Sequence, residues 1–141
     1  MRRLALALTL ALAACGPRAA DVLVADAIHV ANVSRLSIET AETAALVAYK
    51  AAQMDALERA KLTGKTHDEA VRDVFAVRGA WAPVWPLVRE ARRAQALLVA
   101  AIEAERSGMA SAEDVARKLE DLIRQTDLVA RALAEKRTAP E

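Results

Sequence analysis

Residues 111–133 read SAEDVARKLEDLIRQTDLVARAL. Within them Val115, Leu119, Leu122, Thr126, Val129 and Leu133 recur at alternating steps of four and three, the a/d seam of a coiled-coil-like helix. Ser111 supplies an N-cap. Glu113 and Asp114 stand next to it, near the positive end of the helix dipole. Such a stripe has to be covered by neighbouring helices, so the rest of the chain is read for those neighbours.

They are easy to find. Asp21 to about Leu62 contains neither Gly nor Pro and predicts one long helix, with Asp21 as its N-cap. Ala41, Ala44, Ala45, Ala48, Ala51 and Ala52 form a small-residue stripe on it, which Leu46, Val47, Met54 and Leu57 broaden. The Ser-rich and β-branched stretch Asn32–Thr40 is where a bend or local fraying is expected. Gly64 stops the helix. Thr66-His67-Asp68-Glu69 is a capping box that opens a second helix through Ala70, Val71, Val74, Phe75 and Val77. Pro83 and Pro86 predict a kink or break at 79–86. The pattern resumes from Leu87 to Glu105 and ends at Gly108.

The expected fold is therefore all-α: an antiparallel up-down bundle of three long helices, the middle one kinked or broken near Pro83/Pro86. A four-helix reading is second. Composition agrees. Of 141 residues, 35 are Ala, and only four are aromatic. Four Gly and four Pro leave little material for turns, which argues against a β-sandwich or a loop-built α/β enzyme.

The first residues have a separate reading. Met1-Arg2-Arg3 is a positive start, and Leu4 to Ala14 is an apolar run of eleven broken only by Thr9, the pattern of a secretory signal. Such a run is too short to span a bilayer, which takes roughly 20 apolar residues. Leu12-Ala13-Ala14-Cys15 resembles the lipobox of bacterial lipoproteins. That resemblance implies removal of 1–14 and a diacylglycerol and an N-acyl chain on Cys15. It also implies a lipid anchor in the cell envelope. Gly16, where an Asp would retain the protein at the inner membrane, implies the outer membrane facing the periplasm. In a source with one membrane, it implies the outer face of the plasma membrane. The remaining divisions are a short tether at 15–20, a helical domain at 21–136 and a disordered tail at 137–141. Cys15 is the single cysteine, so no intramolecular disulfide can form.

Without residues 1–14 the chain carries 18 basic and 19 acidic residues, a net charge of −1, which argues against nucleic-acid binding by bulk charge. There is no G-x-S-x-G, no glycine-rich phosphate loop and no H-E-x-x-H, and no enzyme is expected. Asp26 and His29 stand at i,i+3, the local geometry of bundle-core metal sites. Such sites need a matching pair on another helix, and His67 has Gly64 at that place. No metal or other cofactor is expected.

One internal segment stands out. Both tryptophans lie at the proline kink, and between Val74 and Ile102 there are four arginines and one acid. Arg78, Trp81, Trp85, Arg89, Arg92 and Arg93 form a candidate interaction surface, because Trp and Arg are enriched at interfaces and at lipid headgroups. The competing reading makes the tryptophans fillers of the gap that a proline kink opens. The function these features suggest is a lipid-anchored envelope protein of structural or interaction type, an accessory subunit or scaffold that binds another protein or the membrane surface. The alternative is a periplasmic helical binding module for a small ligand or metal, which a cavity lined by Trp81 and Trp85 would favour.

Overall fold

The computed structural model describes the backbone of residues 17–138 and the side chains of residues 21–136. Over that range the protein is all-helical: α1 is Pro17–Leu62, α2 His67–Trp81, α3 Val84–Arg106 and α4 Ala112–Thr138. No helix among the described residues is long and apolar enough to cross a membrane. The lipobox, Cys15 and the end of the expected tail lie outside the described residues.

The punctuation is local chemistry. At the end of α1, Gly64 takes φ +68°, and at the end of α3, Gly108 takes φ +74°, conformations that a side chain disfavours. Thr66 caps α2 with both halves of the box. Its hydroxyl accepts from the Glu69 amide, and its own N–H donates to the Glu69 carboxylate at 2.8 Å. Ser111 makes the same arrangement with Asp114 at the start of α4, its N–H donating to the carboxylate at 3.1 Å. These bonds hold both carboxyls below the usual carboxylate range. For Glu69 the main cause is the Thr66 backbone bond, and for Asp114 it is the Ser111 hydroxyl.

Two boundaries differ from the sequence reading. α1 begins at Pro17, whose missing N–H costs nothing in a first turn. Part of the expected tether is therefore helix, and Asp21 stands inside α1 rather than capping it. α4 continues to Thr138, past the expected start of the tail at 137. α1 is continuous helix through Asn32–Thr40. There Ser37 donates to the Val33 carbonyl at 3.0 Å, and just beyond it Thr43 donates to the Glu39 carbonyl at 2.9 Å. The helix thus absorbs the hydroxyls.

The core is built mainly from α1, α3 and α4, with Trp81 joining it from the end of α2. From α4 come Val115, Leu119, Leu122 and Val129, all buried, as the four–three pattern requires. From α3 come Val84, Val88, Ala91, Leu98 and Ile102. From α1 come Val24, Ala27, Ala31, Ile38 and Ala45, mostly alanines that let the helices approach closely. The α1 side chains expected to broaden the stripe do not do so: Leu46, Val47, Met54 and Leu57 are exposed, as are Ala48 and Ala51. Phe75 of α2 is exposed too. α2 rests on the C-terminal part of α1, where Ala56 and Ala60 are buried and Lys65 pairs with Asp73 at 2.6 Å.

Candidate functional site

The segment between α2 and α3 is the place to start, since the sequence singles it out. Pro83 has no N–H to offer the Gly79 carbonyl, which instead accepts from Ala82 at 3.2 Å. Ala82 keeps φ −52° and ψ −38°, and Pro83 keeps φ −68° and ψ −20°. Both are right-handed helical values, so the backbone goes on winding while the hydrogen-bond ladder is interrupted. Pro86 falls in the first turn of α3, where an N–H would have no intrahelical acceptor.

The tryptophans turn inward at this break. Trp81 is 7% exposed and belongs to the core, and Trp85 is half-buried against it. Both meet Tyr49 of α1: its ring centre is 6.1 Å from Trp81 and 5.9 Å from Trp85, the latter edge-to-face at 83°. Gln53 Nε2 donates to the Tyr49 hydroxyl at 2.8 Å. Trp81 is thus a filler beside the proline break, not an exposed anchor, and the candidate surface has to be corrected at that residue.

The four arginines divide. Arg92 reaches across to Glu42 of α1 and ties α3 to it. Arg78, Arg89 and Arg93 are exposed, and no described carboxylate lies within ion-pair distance of them. The structure therefore keeps a basic surface at this place but takes the aromatic anchor out of it.

A second feature was missed by sequence reasoning. α1 and α4 enclose an open groove of about 690 Å³ lined by Val33, Leu36, Thr40, Ala44, Ala130 and Leu133, among others, with no charged side chain. The signal lay in Asn32–Thr40, which reads as poor helix propensity when taken residue by residue. Taken as a face, Val33, Leu36, Ser37, Thr40 and Ala44 fall on one side of α1. Trp81 lines a recess of about 40 Å³ that Trp85 does not border.

His29 and Asp26 are exposed neighbours on α1, and His67 is exposed at the first position of α2. Among the described residues no three potential metal ligands come together.

No family model matches this chain, and neither a curated protein nor a solved structure matches it.

Proposed function

We propose that this chain is a lipid-anchored helical protein of the bacterial envelope that acts by contact rather than by chemistry, as a scaffold or accessory subunit. The reading of the anchor rests on Leu12-Ala13-Ala14-Cys15. The contact role rests on one observation, the uncharged groove between α1 and α4, left open with Val33 and Leu36 about half exposed along it. A folded surface of that kind suits the apolar face of a partner helix better than an enclosed small ligand. In this reading the body is an up-down-up bundle with α2 and α3 together as the broken middle helix. Three pairings favour it. Lys65 of the turn meets Asp73, Tyr49 meets Trp81 and Trp85, and Glu42 meets Arg92, so the chain from the turn back along α1 is followed as α2 and α3 run forwards.

Two measurements test the proposal separately. Palmitate labelling of the wild type and of Cys15→Ser tests the anchor, with label expected only in the wild type. A photo-crosslinking residue at Leu36 in intact envelopes tests the groove. It is expected to trap one discrete protein adduct, lost when Ala44→Arg is added. Adducts unchanged by Ala44→Arg would remove the groove from the proposal.

A further inference from the structure

The arginines of this protein fall into two groups. Those of α1 and α4 whose side chains are described all have carboxylate partners: Arg35 with Glu39, Arg59 with Asp55, Arg117 with Asp114, Arg124 with Asp121 and Arg131 with Asp127. On α2 and α3 only Arg92 has one. For Arg78 and Arg89 the cause is in the sequence. Each paired arginine of α1 and α4 has an acid three or four residues away, whereas Arg93 has Glu90 three residues before it and no ion pair with it. Around Arg78 those places hold Val74, Phe75, Trp81 and Ala82, and around Arg89 they hold Trp85, Pro86, Arg92 and Arg93. Arg89 and Arg93 also repel each other at i,i+4, so the arrangement opposes the helix that carries it.

The break at Pro83 does not scatter these side chains. Because Ala82 and Pro83 keep helical dihedrals, Arg78, Ala82, Pro86, Arg89 and Arg93 follow one another at steps of four, four, three and four along one outward face. Phe75, 60% exposed, extends this face at one end, and Leu97, 41% exposed, flanks it at the other. The stretch from 75 to 97 is roughly 33 Å long if straight. We infer that this face lies against an anionic lipid surface, with Arg78, Arg89 and Arg93 on headgroup phosphates and Phe75 and Leu97 at the acyl boundary.

Charge complementarity carries the inference: three exposed cations with no ion pair to a described carboxylate share one face, against a single acid, Glu90, in the same stretch. A bilayer is favoured over an acidic protein because the cations are spaced unevenly along a line and border no pocket. A lipid surface offers phosphates at any spacing, whereas a protein partner needs matched positions. That such a surface lies nearby rests on the anchoring reading above, but the binding itself does not require the acyl chains.

The test therefore uses residues 15–141 with Cys15→Ser, sedimented with vesicles of equal parts phosphatidylglycerol and phosphatidylcholine or of phosphatidylcholine alone. The parent is expected to favour the anionic vesicles, and less so as salt rises. Each arginine at an anionic surface contributes roughly fivefold, so the combined change Arg78→Gln, Arg89→Gln and Arg93→Gln is expected to weaken anionic binding about a hundredfold. The corresponding triple lysine variant is expected to retain it. Circular dichroism of both variants is expected to match the parent, because all three side chains are exposed. Equal binding of the parent to the two vesicle types would overturn the inference, as would an unchanged affinity of a folded glutamine variant. Palmitate labelling of the wild type reports on the anchor alone, so its failure leaves the vesicle result to stand or fall separately.

Discussion

At the scale of single residues, Tyr49, Trp81 and Trp85 decide how the proline break is tolerated. Interrupting a hydrogen-bond ladder leaves space and polar carbonyls, and three large rings close that space with edge-to-face contacts. Trp81→Ala is expected to cost roughly 3–5 kcal/mol, read from a urea midpoint at unchanged slope. Tryptophan emission from the folded chain should be blue-shifted and shift red on unfolding. The two capping carboxyls make a pH prediction. Their folded pKa values lie below the ordinary carboxylate range, so the stability they contribute is fully present above that range. It is lost as pH falls through the lowered folded values. Thermal scans from neutral to acid should show a downward slope that Glu69→Gln and Asp114→Asn each flatten. An unchanged slope in both variants would mean that neither box is held in solution.

At the scale of elements, what could be read in the sequence follows from side-chain size. The seam of α4 was legible because its members are Val and Leu, which stand out from charged neighbours. The seam of α1 has the same three–four steps, through Val24, Ala27, Ala31, Ser34, Ile38, Ala41 and Ala45. It was hidden because alanine is equally at home on a surface. That is why the exposed Leu46, Val47, Met54 and Leu57 drew attention to the wrong side of the same helix. The capping signals, both stop glycines and the proline break were legible because each acts within a few residues. The positions of the arginines and tryptophans were legible too. The filler reading of the tryptophans was legible as well, but the choice between it and an exposed anchor at Trp81 depends on Tyr49, thirty-two residues away. The groove needs α4 beside α1 and has no local signature. Leu119→Ala should cost roughly 2–5 kcal/mol. Ala45→Leu, which puts a large side chain where a fully buried alanine allows close approach, should cost roughly 1–3 kcal/mol. Equal stability of Ala45→Leu and the parent would contradict the close contact.

At the scale of the whole molecule, the chain is unevenly supported. The main cluster joins the N-terminal two-thirds of α1 to α3 and α4, whereas α2 rests mainly on the end of α1 through half-buried Ala70, Val74 and Val77. Few buried apolar side chains hold that end, so it should open at lower free energy than the core. Native-state hydrogen exchange is expected to be faster for amides of 67–77 than for those of 88–102 and 115–129. Uniform protection across both sets would show that the ends are held equally.

Pro83 then takes on a kinetic meaning. Unwinding spreads along a helix because each residue released frees the next hydrogen bond, and cooperativity is the sum of those links. Between Trp81 and Val84 the link is already missing, although the backbone keeps its helical path. Fraying that starts at the Gly64 turn can travel through α2 and halt there, leaving α3 intact. The proline works as a firebreak, separating a stretch that can melt from one that must not. Pro83→Ala would rejoin the ladder, so exchange in α2 should slow towards that of α3. The difference in protection between the two helices should shrink even if the overall melting temperature barely moves.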